Sequence, residues 1–273
     1  MAWSPSIGEK KAVVRVSRRH VTDATVSAPP RSAPVTKPRI HPTDTMVLSS
    51  IGVRRAIGIS GLALPPGLAI GGWMFGVPIQ DNISSYYHTP LRDVFVGTMC
   101  AIGIFLLCYR GHDRAESWTA NVGCLAALAV ALFPLDAGSD PLLQKSVVGY
   151  IHSVAGGVFF LTLAFYSLYH FPRSTARPSE SEPHAWERNA VYRISGLVIL
   201  TSMLLMGSYL FVFPPRWKQA ANQWNFLFFM ESIATWAFAA AWLTKGRAII
   251  ADIAVDLLAI PREVILPKLK STE

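Results

Sequence analysis

Apolar residues gather along this chain into six blocks, at about 56–76, 94–109, 120–135, 148–171, 194–213 and 225–243, with short polar stretches between them. A helical block of about 20 such residues covers a hydrocarbon core of roughly 30 Å. The pattern predicts an all-α polytopic membrane protein, a six-helix transmembrane bundle occupying residues 46–246. Pro65-Pro66 falls in the middle of the first block, where two missing backbone donors predict a kink. Gly67/Gly71 and Gly72/Gly76 place small residues one turn apart, a spacing that lets a second helix approach closely. Trp73, Trp118, Trp217, Trp224 and Trp242 stand near block ends, where amphipathic rings favour the headgroup layer.

The flanks read differently. Residues 1–45 hold eight Lys or Arg against Glu9, Asp23 and Asp44, and no long apolar run. That segment is predicted disordered. It is Arg-rich and acid-poor in the manner of an organellar transit peptide, while Met46 reads as an alternative start that makes it an extension. In the tail, residues 247–273, Ile249, Ile250, Ile253, Leu257 and Ile260 recur at helical spacing opposite Asp252 and Asp256. Too short to span, this stretch is expected to be an amphipathic helix on the inner membrane surface.

Composition agrees with the pattern: 51% of residues are hydrophobic and 15% charged, against about 25% charged in soluble domains. The net charge of +8 does not indicate nucleic acid, because the basic residues stand at block ends and form no stripe with interleaved aromatics. They report orientation instead. Ten Lys or Arg precede or open the first block; Arg110 and Arg114 follow the second, Arg173, Arg177, Arg188 and Arg193 follow the fourth, and five follow the sixth, from Lys245 onward. The opposite side holds Arg92, Lys145, Arg216 and Lys218. Retention of basic loops in the cytoplasm predicts both termini inside, in a bacterial plasma (inner) membrane. Cys100, Cys108 and Cys124 lie inside apolar blocks, with no metal-type spacing, and read as packing residues.

With this topology, ionisable groups near the membrane collect on the outer side. Asp93 opens the second block, Asp136 closes the third, His152 lies a turn into the fourth and Glu231 lies in the sixth among Phe226, Phe228, Phe229, Met230 and Ile233. The first outer loop adds Ser84, Ser85, Tyr87, His88 and Arg92. Ionisable groups at membrane depth are costly and mark a cavity, a partner or a pathway. Three readings are open. One is a pairing network, with or without a lipid headgroup or small-molecule ligand, in which Arg92, the hydroxyls and His152 neutralise the carboxylates. A second is a divalent metal held by His88, His152, Asp136 and Glu231, able to activate water against a lipid amide or ester with Ser84 or Ser85 orienting the oxyanion. A third is a proton or substrate pathway through Glu231 and His152. His112, His170 and His184 are expected to be solvated surface residues on the inner side, and Asn121, Ser195, Ser202 and Ser208 interhelical hydrogen-bond partners. No phosphate-binding loop or nucleophile elbow is present, so no cofactor is implied beyond such a metal.

The order of landmarks resembles that of the DRAM-like six-span membrane proteins: a first span with a proline pair, Ile83-Ser84-Ser85 in the outer loop, Asp93-Val94-Phe95-Val96-Gly97, Asn121-Val122-Gly123, His152 and the late Glu231. The resemblance covers about residues 51–246. It implies a six-helix bundle with a membrane role and carries over no catalytic residue. Ser84-x-x-x-His88 is also similar to the Ser and His pair of the CREST membrane hydrolases, such as alkaline ceramidases. Those enzymes hold the pair within a span and add a late His-x-x-x-His, whereas here the pair is in a loop and only Glu231 lies late.

Overall fold

The apolar blocks fold as long helices. In the computed structural model, which describes residues 42–138, 144–175 and 185–247, eight α-helices are present among the described residues and no strand. They are α1 (Pro42–Met74), α2 (Arg92–Cys108), α3 (Arg114–Leu132), α4 (Val147–Phe165), α5 (Phe171–Thr175), α6 (Ala185–Phe211), α7 (Pro215–Asn222) and α8 (Phe226–Lys245). A π-turn, Tyr166–His170, joins α4 to α5. Of the segment expected to be disordered, 1–45, residues 42–45 instead form the start of α1; residues 1–41, residues 248–273 of the expected amphipathic tail, and His184 lie outside the described residues.

Among the described residues five segments are long and apolar enough to cross a membrane: Ser50–Met74, Arg114–Leu132, Val147–Arg173, Ala185–Phe211 and Phe226–Lys245. Their outward faces carry Ile59, Ile70, Leu125, Val154, Leu161, Leu197 and Leu204, the signature of an integral membrane protein. At 17 residues, α2 measures about 25 Å and falls short of that length, although it packs between α1 and α3 as a full member of the bundle. The long helices alternate in direction. Arg55 near the start of α1 donates to the Gly246 carbonyl after α8 at 2.8 Å, which marks the terminal end; the opposite, loop end carries residues 77–91 and the α3–α4 corner.

The proline pair does not interrupt α1, which runs through Pro65 and Pro66 as one helix. Pro66 leaves the Leu62 carbonyl without its helical donor, and the Trp236 indole N–H of α8 donates to it at 3.3 Å. Close helix approach occurs elsewhere than the spacing predicts. A Cβ on Gly58 would stand 2.7 Å from Leu243, and one on Gly61 would stand 3.0 Å from Phe238, whereas Gly67 and Gly76 have nothing within 4 Å. Gly76 instead ends α1: it has φ 69°, and the Val77 N–H bonds the Gly72 carbonyl at 2.8 Å, closing a Schellman turn that a residue with a Cβ would strain.

The terminal end is an aromatic cluster centred on Trp242, whose ring lies 5.1 Å from Tyr109, 5.3 Å from Tyr166 and 5.1 Å from Phe171. Trp242 is fully buried, unlike the interfacial ring expected from its position. Trp73, Trp118, Trp217 and Trp224 are exposed as expected.

Candidate functional site

Three pieces of chain build the loop end. The 77–91 segment is held by its own polar groups: the Asn82 side-chain oxygen accepts from the Ser85 N–H at 2.8 Å and from its hydroxyl at 3.1 Å, and Ser84–His88 forms a 3-10 turn. This segment is seated on α8. The Phe228 N–H donates to the Asp81 carbonyl at 2.9 Å, and the Ile83 N–H donates to Glu231 Oε2 at 2.6 Å. Tyr86 is buried beneath it, with its ring 6.0 Å from that of Phe228.

The α3–α4 corner receives both histidines of this end. His152 Nδ1 lies 2.7 Å from the Phe133 carbonyl and His88 Nε2 lies 2.7 Å from the Leu135 carbonyl. A carbonyl only accepts, so each of these nitrogens carries the proton. Asp136 closes the corner: its carboxylate accepts from the Ser146 hydroxyl and from the N–H groups of Lys145 and Ser146, while Ser146 caps α4 by accepting from the Gly149 N–H at 2.9 Å. The Ser146 hydroxyl, then the two backbone donors, hold the Asp136 carboxyl below the usual carboxylate range.

Between these pieces lies a cavity of about 300 Å³, lined by α1, α2, α3, α4, α6 and α8. Its wall is apolar, with Phe95, Met99, Phe159 and Phe238 among its residues, and His152, Glu231, Ser84, Ser153 and Thr235 are its polar members. His152 is only 4% exposed. Met203, Met206 and Gly207 of α6 and Gly156 and Gly157 of α4 line the cavity and are partly exposed. The three glycines have nothing within 4 Å of where a Cβ would lie, so larger side chains at these positions have room beside the cavity.

Of the residues read from the sequence, Glu231, His152 and Ser84 therefore share one cavity. Ser85 is turned to Asn82 and His88 to the corner, and neither lines it. Arg92 bonds the Tyr87 hydroxyl at 3.1 Å with its guanidinium 4.6 Å above that ring. Asp93 is exposed on the first turn of α2, and Asp136 serves the α4 cap. Among the described residues no three His, Cys, Asp or Glu stand together as a metal-ligand group.

At the terminal end, Glu116 is a buried acid that the sequence reading passed over. It is 2% exposed, accepts from the Tyr109 hydroxyl at 2.6 Å and the His112 N–H at 2.7 Å, and its own carbonyl accepts from the Tyr166 hydroxyl at 2.6 Å. A carboxylate oxygen only accepts, so the Tyr109 phenol is the donor. The available signal was Asp113-x-x-Glu116, in which Asp113 accepts from the Glu116 N–H at 2.8 Å, an N-terminal helix signature. His170 is also buried, against expectation: its Nε2 meets the Thr119 hydroxyl at 3.0 Å, and because that hydroxyl already donates to Ala115, the imidazole is the donor. Ser208 bonds the Leu204 carbonyl of its own helix at 2.8 Å rather than a neighbouring helix.

No protein-family model, no curated protein and no solved structure matches this chain.

Proposed function

We propose that this chain is a six-span membrane protein of a bacterial plasma membrane, with both termini cytoplasmic, that binds a small apolar molecule inside its bundle. The observation that carries this reading is the 300 Å³ cavity with two ionisable side chains, Glu231 and His152, set in an apolar wall. Its volume lies at the lower bound of ligand pockets, roughly 300–1,000 Å³, and a few polar groups within an apolar lining are their usual composition. The lopsided distribution of Lys and Arg supports the orientation, and α2 supplies the sixth crossing if local thinning of the bilayer accommodates its length. The sequence landmarks support an affinity with the DRAM-like proteins.

The test is mass spectrometry of small molecules extracted from the purified chain and from Gly156→Leu and Gly207→Leu variants, whose new side chains would occupy the cavity. A compound present in the natural protein and lost from variants of unchanged melting temperature is the expected result. The same extract from all three proteins would sink the reading. A second reading, proton-coupled transport, draws on Glu231 and His152 lining one cavity; flux into liposomes that is unaffected by Glu231→Gln would dispose of it.

A further inference from the structure

We infer that the molecule taken up by this cavity is a compact amine, an apolar body bearing an ammonium that donates to Glu231 and His152. The inference rests on the binding reading above and adds the chemical class of the ligand. The Glu231 carboxylate uses one oxygen, Oε2, to accept from the Ile83 N–H. Among the described residues no cationic side chain is paired with Glu231.

His152 commits Nδ1–H to the Phe133 carbonyl. As a neutral ring its Nε2 is then a lone-pair acceptor, on a side chain that lines the cavity. Two acceptor side chains, on different helices, α8 and α4, thus line one apolar chamber. A carboxylate with no counter-charge in such a place is costly. A ligand that donates hydrogen bonds and brings a positive charge offsets that cost, whereas an anion adds to it.

The rest of the wall describes the remainder of the molecule. Phe95, Met99, Phe159, Phe160 and Phe238 offer apolar surface and aromatic faces, which also favour a cation at close range. Gly156, Gly157 and Gly207 add no side chains to the lining, which leaves room for a compact apolar body.

The probe pair is adamantylamine and adamantanol, cages of one shape that differ in charge and donor number. Calorimetric titration of the full chain in detergent at neutral pH is expected to show the amine binding roughly tenfold or more tightly than the alcohol, in line with the cost of leaving a buried charge unpaired. Glu231→Gln keeps an oxygen for Ile83 and removes the charge, and is expected to abolish the preference while leaving the alcohol bound. Equal affinity of the two probes for the natural protein, or a preference that survives Glu231→Gln, overturns the inference and leaves the binding reading standing. The comparison on the natural protein decides even if that variant fails to fold. Binding of neither probe, together with extracts that match those of the filled variants, overturns both.

Discussion

The Trp236 indole N–H on α8 donates to the Leu62 carbonyl on α1, the group that Pro66 deprives of its helical donor. Both residues face outward, where lipid offers no substitute hydrogen bond. Trp236→Phe is expected to lower stability by about 0.5–1.5 kcal/mol, read as a fall in melting temperature in detergent. Pro66→Ala restores a backbone donor, so Trp236→Phe should cost measurably less in that background. Equal losses in the two backgrounds would show that the indole does not replace the missing donor.

Glu231 anchors the 77–91 segment through the Ile83 N–H. Glu231→Ala leaves that donor unsatisfied and is expected to destabilise by about 1–3 kcal/mol, with faster hydrogen exchange across 81–88. Glu231→Gln, which retains an acceptor, should stay near the natural protein in both measurements. Matching losses in the two variants would mean that charge, and not the hydrogen bond, seats the segment.

The Asp136 carboxyl is held below its ordinary value by Ser146 and the neighbouring N–H groups. A depressed folded value means that its stabilising effect is complete above the ordinary carboxylate pKa of about 3.9 and fades as the pH falls through the lower folded value. The gap in melting temperature between the natural protein and Asp136→Asn should accordingly be open at neutral pH and close below about pH 4. A gap that persists at the acid end would count against the Ser146 buckle.

Glycines of this chain separate into two groups. A Cβ on Gly58 would meet Leu243 side-chain atoms at 2.7 and 2.9 Å and its backbone nitrogen at 3.0 Å, so Gly58→Ala forces α1 and α8 apart at a cost of about 1–3 kcal/mol. Gly156→Ala meets nothing and should be neutral or stabilising by up to about 1 kcal/mol from helix propensity. Melting temperatures that rank the two in the opposite order would contradict the packing described at α1 and α8.

The long helices were legible in the sequence because burial in lipid demands unbroken apolar runs, although α1 and α6 begin at Pro42 and Ala185, well before the runs at 56 and 194, since a helix can continue past its apolar stretch with polar residues. Glu231 and His152 were legible for the same reason: an ionisable group stands out inside such a run. Loop residues did not separate, since Ser84 and Ser85 are adjacent and alike, and only the 3-10 turn directs one to the cavity and the other to Asn82. Glu116 escaped because it sits among Asp113, Arg114 and His112 at a block edge, where a charge resembles a solvated one until Tyr109 and Tyr166 fold over it. Trp242 and His170 escaped similarly, as position along a span does not reveal which face of the helix is turned inward.

The π-turn at Tyr166–His170 acts on everything that follows it. One extra residue in a helical turn rotates the downstream chain by about 100° relative to a regular helix. Here that rotation carries Phe171 into contact with Trp242, with ring centroids 5.1 Å apart and Phe171 fully buried. Removing any single residue from this turn would restore an ordinary helix and swing Phe171 out into lipid. The segment therefore encodes a count as well as a composition: Tyr166 and His170 are held by their bonds to Glu116 and Thr119, and the length of five sets where the following helix points.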